Sequence, residues 1–372
     1  MKTARSASGA HTLPGKYYTS QEIFDLERER IFSQRWLCVG LVASLSTTGS
    51  YFLAELEGES IIIVRESDES IRAFYNVCRH RGTQLCHEAQ GTFSRHIQCP
   101  YHSWTYDLSG RLVAAPNMEE GVDFHRGRFP LHSVNIATWE GMIFINLGSK
   151  PEPFEEAYAS VLTKFNRWGL SRLVPVHRTE YQVEANWKLM VQNYSECYHC
   201  PTLHPALNKL TPYRDSENDL DEGPILGGPM RLSKGSQSMT IDGRACAAPF
   251  GHLDGDERRL VYYYVMFPSL FLSIMPDYAM IHRLIRRGPR RSTVICEWLF
   301  DPEAASQPDY DPSRAVEFWD MTNRQDWHIC EQSQRGIDSR AYEPGPYASL
   351  ESMLAALDRE YLAALGESSN GS

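Results

Sequence analysis

Two short stretches of this chain pair a soft sulfur ligand with an imidazole. Cys78-Arg-His80 is one and Cys99-Pro-Tyr-His102 is the other, with eighteen residues between His80 and Cys99. A zinc finger usually groups its cysteines together and its histidines together. Here one of each type comes from each segment. That interleaving suits a two-iron, two-sulfide centre in which one iron takes two Cys and the other takes two His. Neutral imidazoles leave such a cluster less negative than an all-thiolate one, so it accepts an electron more readily. A structural zinc site with the same four side chains is the alternative at this level. Cys86, His87 and His96 lie nearby, and packing or a solvated loop accounts for them, because the four-ligand set is already complete.

A second pair, His199 and His204, sits in Asn193-Tyr-Ser-Glu196-Cys-Tyr-His199-Cys-Pro-Thr-Leu-His204-Pro205. Five residues of unbroken helix would leave the two rings about 140° apart, too far round to share a metal. Pro201 disfavours helix at Cys200, so the expectation is a helix from Trp187 to His199, stopped by Pro201 and Pro205, with His204 on a loop that returns past it. The His-Glu-x-x-His pattern of zinc proteases is absent. Two imidazoles from one segment and a carboxylate from elsewhere make a facial triad, which leaves the opposite face of Fe(II) open to O2 and substrate.

Elements must position these groups. The chain has 372 residues, a net charge of −10 and nine cysteines. The acidic balance argues against a nucleic-acid partner or an anionic membrane surface. No apolar run approaches the roughly 18 residues of a membrane span, and residues 1–18 lack the apolar stretch of a signal peptide, so a cytoplasmic protein with reduced thiols is expected. Thr19 and Glu22 have the spacing of a capping box before Ile23, Leu26, Ile31 and Phe32. Short strands follow, with hairpins at Ser109–Gly110 and Glu140–Gly141. Glu155–Trp168 has helical spacing and His177–Glu184 reads as a strand. Four strands then run from Leu260 to Phe300, and Pro312 opens a long last helix. The fold class expected is α+β, a small all-β domain plus a larger helix-and-antiparallel-sheet domain. The divisions are a helical segment 1–46 packed on the larger domain, the β-domain 47–149, and a catalytic domain 150–372. No Gly-x-Gly-x-x-Gly follows a strand and no plant-type ferredoxin spacing occurs. NAD(P)H therefore acts only through a separate reductase, with or without a ferredoxin between them. Arg286, Arg287, Arg290 and Arg291 form a basic turn that would suit an acidic partner, or else a solvated hairpin tip.

Cys78-Arg-His80-Arg-Gly82 with Cys99-Pro-Tyr-His102-Ser-Trp104 resembles the Rieske [2Fe–2S] signature. With the downstream histidines, nearly the whole chain resembles the oxygenase (α) component of Rieske non-haem iron oxygenases. The resemblance implies that Cys78 and Cys99 hold one cluster iron and His80 and His102 the other. It implies that His199 and His204 bind a mononuclear Fe(II), with an Asp from a late helix as third ligand. Arg324-Gln-Asp326-Trp-His-Ile-Cys-Glu331 looks like that ligand segment, which selects Asp326 over Asp320 and Glu331. It also implies a homotrimer in which Glu196 bridges an iron-ligand histidine to a Rieske histidine of the neighbouring subunit; many members have Asp there. The text Glu196-Cys-Tyr-His199-Cys is similar to members that oxygenate quaternary ammonium compounds such as glycine betaine, proline betaine and carnitine. Aromatic faces would hold such a cation, and Tyr262, Tyr263, Tyr264, Phe267, Trp298 and Phe300 could supply them, although strand alternation sends only some inward and ordinary sheet core is the stronger reading for each. The expected function is O2-dependent hydroxylation or oxidative N-demethylation of a small-molecule substrate. An aromatic-acid hydroxylase is the alternative, as is a Rieske electron carrier without oxygenase chemistry.

Overall fold

The computed structural model describes residues 9–67, 70–119, 121, 123–159, 161–251 and 253–367. Most of the small-residue ends, Ser6–Ser8 and 368–372, lie outside them. The chain divides into two compact units, Ser33–Phe154 and Met1–Phe32 with Glu155–Ser372. The first division thus falls at Ser33, not at residue 47. The reason is local: Leu37–Leu41 pairs antiparallel with Met142–Asn146, which pairs in turn with Asn135–Trp139.

Ser33–Phe154 is built from three antiparallel sheets. Beside the one just described stands a four-stranded sheet in the order Ile71–Tyr75, Glu59–Arg65, Ser50–Leu56, Gln90–Thr92. A three-stranded sheet runs His96–Gln98, Thr105–Asp107, Leu112–Ala114. One apolar cluster, with Ile62, Phe74, Trp104 and Tyr106, encloses Cys78 and Cys99. The sulfurs therefore lie in a packed core and not on loose loops.

The larger unit is an antiparallel six-stranded sheet. Its order is Val174–Val183, Arg291–Phe300, Ala279–Gly288, Leu270–Ile274, Leu260–Met266, Ile225–Arg231. The edge strand Ile225–Arg231 holds two glycines and a proline, residues that argue against a central strand but are tolerated at an edge. The helices include Trp187–Tyr194, Ser313–Ile337 and Ser352–Leu365. The long helix is therefore not the last one. Between residues 155 and 168 the expected helix is replaced by one helical turn, Phe154–Ala157, and successive i→i+3 turns that still bury Tyr158, Val161, Phe165 and Trp168. At the N-terminus Ser20, not Thr19, caps Gln21–Glu27: its Oγ accepts from Ile23 N–H, while the Thr19 hydroxyl donates to Gly15 O. That helix delivers Glu27 to a buried cluster. Its carboxylate accepts from Lys188 Nζ, from Arg286 at 3.2 Å, and from Trp187 Nε1 and Tyr361 OH at 2.9 Å each. Of the basic turn, Arg286 is buried on Glu27, while Arg287, Arg290 and Arg291 are exposed as at a solvated hairpin tip, Arg287 donating to Thr293 Oγ1 and Arg290 pairing with Asp338.

Candidate metal centres and substrate cavity

The two Cys/His segments fold into matching loops. Gly82 N–H donates to Cys78 O and Cys78 N–H to Thr83 O; Ser103 N–H donates to Cys99 O and Cys99 N–H to Trp104 O. Each loop closes through a left-handed residue, Gly82 at φ +76° and Ser103 at φ +57°. The glycine of Cys-x-His-x-Gly meets that requirement without strain. The buried Cys78 thiol lies 3.4 Å from Tyr106 OH. Burial pushes the Cys78 thiol up, so a thiolate there needs a cation to stabilise it. The His80 and His102 rings are 4.8 Å apart, and His80 stacks on Trp104. His102 Nδ1 is buried with no hydrogen-bond partner, an acceptor that a metal would satisfy. Two thiols in the core and two imidazoles at its edge fit a Rieske [2Fe–2S] cluster, with the histidine side the more exposed.

In the larger unit Asn186 caps the helix Trp187–Tyr194 by accepting from Lys188 N–H at 3.0 Å. The helix ends five residues before His199, where the Ser195 hydroxyl turns back to Val191 O. Pro201 then opens a four-residue turn, Cys200–Leu203, and Pro205 opens Pro205–Leu210. The prolines start short helices and do not terminate the long one. His199 and His204 flank the single turn, with rings 5.2 Å apart at 76°.

The long helix Ser313–Ile337 brings Asp326 to them. Its Oδ1 lies 2.7 Å from His204 Nε2 and 3.5 Å from His199 Nε2, and the three ligand atoms fall within 4.8 Å of one another. The other ring nitrogens face outward onto acceptors: His199 Nδ1 is 2.5 Å from Glu196 Oε1, and His204 Nδ1 is 2.7 Å from Gln325 Oε1. Such outer acceptors fix the tautomer that leaves Nε2 for a metal. Burial would lower the His199 pKa, but Asp326 and Glu196 outweigh it and push it up to about 10. Burial alone would raise Asp326, yet the two imidazoles hold its carboxyl below the usual range. Two His with one carboxylate is the donor set of a non-haem Fe(II) centre. Asp320 is bonded to Tyr181 OH and Arg324, and Glu331 accepts from Glu184 N–H. They stand roughly 120° and 140° round the helix from Asp326.

A cavity of about 120 Å³ opens on this triad. Its wall includes Asn193, Tyr194, Glu217, Tyr263, Trp319 and Met353. Of the six aromatic residues expected from sequence, only Tyr263 lines it. Strand alternation turns Tyr262 and Tyr264 to the other face, where they meet Trp168 and Phe165. Phe267, Trp298 and Phe300 pack on Trp187, His177 and Tyr278. Tyr194 and Trp319 take their place. A Cβ on Gly228 would stand 2.0 Å from Glu217 O, so bare backbone there lets residues 216–218 close over the strand. The Gly-Gly pair was the available signal for that close approach. Among the described residues lining the cavity none is Lys or Arg, while Glu196, Glu217 and Asp326 are acidic.

Residues 35–139 match the family model of the Rieske [2Fe-2S] domain, and residues 170–367 match that of the ring hydroxylating alpha subunit catalytic domain. The glycine betaine monooxygenase oxygenase subunit of Chromohalobacter salexigens is 33% identical, over 92% of this chain and 83% of that one. The carnitine monooxygenase oxygenase subunit of Escherichia coli K12 is 30% identical, over 90% of this chain and 86% of that one. The fold is that of the quaternary ammonium Rieske monooxygenase CntA, solved with L-carnitine, at a TM-score of 0.78 and 23% identity over 97% of both chains. Naphthalene 1,2-dioxygenase from Rhodococcus sp. shares it at a TM-score of 0.78 and 18% identity, over 95% of this chain and 94% of that one.

Proposed function

Since the chain belongs to the family of Rieske-type ring-hydroxylating oxygenase α subunits, an oxidoreductase family that uses O2, we propose that it oxygenates a quaternary ammonium compound. The proteins most similar in sequence include glycine betaine and carnitine monooxygenase subunits. The observation that carries the reading is the cavity wall: acidic and aromatic, without a described Lys or Arg. A quaternary ammonium has no N–H to donate, so aromatic faces and carboxylates are what can hold it.

We assign Cys78, Cys99, His80 and His102 as cluster ligands, and His199, His204 and Asp326 as ligands of the mononuclear iron. When bound, the cluster supplies electrons singly and the iron supplies the site of O2 reduction. The protein residues do the rest. Glu196 and Gln325 hold the two imidazoles by their outer nitrogens. Tyr194, Tyr263 and Trp319 enclose the cation and exclude water. For a trimethylammonium substrate the balance is one O2, two electrons and two protons. One oxygen atom enters a methyl C–H bond and the other leaves as water. The hydroxymethyl group departs as formaldehyde with loss of a proton, and nitrogen keeps the bonding pair. The electrons come from a separate reductase. The working assembly is a homotrimer in which Glu196 stands between His199 and a Rieske histidine of the next subunit. A head-to-tail contact that closes on itself gives a ring, and three subunits are enough for one.

The test is a turnover screen with a supplied reductase, comparing trimethylammonium compounds with benzoate and measuring product by mass spectrometry. Demethylated amine is expected from the first group. Hydroxylated benzoate with no demethylation would overturn the proposal. Gel filtration of the active enzyme tests the trimer, and an active monomer would refute it.

A further inference from the structure

Eight of the nine cysteines are buried, and Cys197 alone is partly exposed. Cys197 and Cys200 both line the cavity and enclose His199 in the run Cys197-Tyr-His199-Cys200. The run is a tight turn, closed by a hydrogen bond from Cys200 N–H to Cys197 O at 3.2 Å. Such a turn holds its first and fourth Cα atoms within about 7 Å, and a disulfide needs them roughly 4.4–6.8 Å apart. Both cysteines are free thiols in this structure. The same turn carries the iron-binding imidazoles. Cys200 follows His199 directly, and Cys200 O accepts from His204 N–H at 2.9 Å. Glu196, which holds the His199 ring, directly precedes Cys197 and also accepts from His199 N–H at 3.3 Å. Thiols beside a centre that reduces O2 are open to oxidation, a liability if filling space is their only task.

We propose that Cys197 and Cys200 form a reversible redox switch on the mononuclear iron site, closing to a disulfide on exposure to hydrogen peroxide. The inference rests on the assignment of His199 and His204 as iron ligands, and adds a modification that the oxygenation itself does not require. Hydrogen peroxide is O2 reduced by two electrons and two protons, the product when no substrate C–H bond takes up an oxygen atom. The Cys197 sulfur, the more exposed, attacks one peroxide oxygen; the O–O bond breaks and one water leaves. The Cys200 sulfur then bonds to the Cys197 sulfur and displaces its hydroxyl as a second water. One disulfide and two waters thus form from two thiols and one peroxide, and the thiol protons end in the waters. An S–S bond of about 2.05 Å tightens the turn around His199 and shifts the backbone behind both imidazoles, so the iron is held less firmly. Cys-x-x-Cys disulfides are within reach of dithiol reductants, which makes the closure reversible.

The experiment treats anaerobic holoenzyme with diamide, which joins thiols without delivering an oxygen atom. Remaining thiols are alkylated, and trypsin releases Leu189–Lys209, which carries these two cysteines and no other. That peptide should be unalkylated and lighter by two hydrogen atoms. Iron titration should show the mononuclear site weakened about 10-fold or more, as when a metal ligand loses its support, with the Rieske signal kept. Dithiothreitol should reverse both changes. Cys197→Ser should give no such peptide and, against its own untreated sample, should keep its iron affinity. Hydrogen peroxide in place of diamide should give the same peptide from wild type. Oxygen atoms added to Cys197 with no disulfide would mark simple oxidative damage and overturn the proposal. A disulfide that leaves iron affinity unchanged would overturn it too. If untreated enzyme binds no mononuclear iron, the ligand assignment fails and the switch falls with it. If iron is bound and the peptide mass does not change, only the switch fails.

Discussion

Glu196→Ala and Gln325→Ala remove the outer acceptors of His199 and His204 respectively, and comparing them separates two roles of Glu196. Glu196 Oε1 lies 2.5 Å from His199 Nδ1, and its other oxygen accepts from the N–H of Tyr198 and of His199. Gln325 Oε1 lies 2.7 Å from His204 Nδ1 and is neutral. Losing such a partner typically costs 10–100-fold in metal affinity, or about 1.4–2.8 kcal/mol at 1.4 kcal/mol per decade. Both variants should fall in that range, Glu196→Ala towards its upper end because it loses a charged acceptor. The assay is iron titration of the mononuclear site, with the Rieske electron-resonance signal as internal standard. Electron transfer then distinguishes the two residues. With iron saturating, Gln325→Ala should reoxidise its reduced cluster at close to the wild-type rate once substrate and O2 are added. Glu196→Ala should be slower by an order of magnitude or more, since only Glu196 is assigned to the path between subunits. Glu196→Gln, which keeps an acceptor oxygen, should recover most of the iron affinity but not the rate. Wild-type reoxidation with full product yield in Glu196→Ala would refute the bridge, and unchanged iron affinity in both alanine variants would refute the outer-acceptor argument.

Other outcomes follow from single residues. Asp326→Ala should lose the mononuclear iron and keep the Rieske signal, whereas Asp320→Ala, which breaks bonds to Tyr181 and Arg324, should keep both; metal analysis of the pair decides the ligand. His102→Cys should alter or abolish the reduced Rieske signal, and a colourless wild-type protein with stoichiometric zinc would contradict the cluster assignment. Glu27→Ala strands Lys188 and Arg286 in the core. Breaking a buried pair costs about 3–5 kcal/mol, and at roughly 2–4 °C per kcal/mol for a unit of this size the melting temperature should fall by at least about 6 °C. Asp358 is raised to about 6 by burial, against hydrogen bonds from Tyr347 and Gln192 that lower it. A raised carboxyl binds its proton more tightly folded than unfolded, so it lends stability at low pH that is lost as pH rises from about 4 through 6. Asp358→Asn should therefore gain in melting temperature relative to wild type between pH 4 and pH 8, and a difference independent of pH would contradict this.

The sequence showed the centres more clearly than the scaffold. Cys78, His80, Cys99 and His102 stood out in the sequence as a proposed ligand set because a cluster needs its ligands at fixed short spacings, whereas the left-handed role of Gly82 came only from the structure. His199 and His204 stood out as a pair, but not the path between them: the helix stops at Tyr194, five residues short of His199, which no periodicity reports. Asp326 lies 122 positions from His204, and only the local text around it singled it out. Of the six aromatics, sheet core was the stronger expectation and holds for five; which one meets the site was not legible, because strand alternation fixes which neighbours share a face, not which face meets the site. Tyr262, Tyr263 and Tyr264 read alike until the sheet's two sides are known. In the basic turn only Arg286 departs from a solvated hairpin tip, since the acid that buries it, Glu27, lies near the other end of the chain.

The most direct test of the account is one turnover without a reductase. Enzyme loaded with iron, with its cluster reduced and the excess reductant removed, is mixed with O2 and the trimethylammonium compound it binds best. The cluster would supply one of the two electrons and the ferrous mononuclear iron the other, so formaldehyde and demethylated amine should form together, approaching one of each per mononuclear iron, as the cluster signal is lost and the mononuclear iron is left ferric. Cluster oxidation at the same rate without substrate, or with hydrogen peroxide in place of formaldehyde, would contradict the assignment.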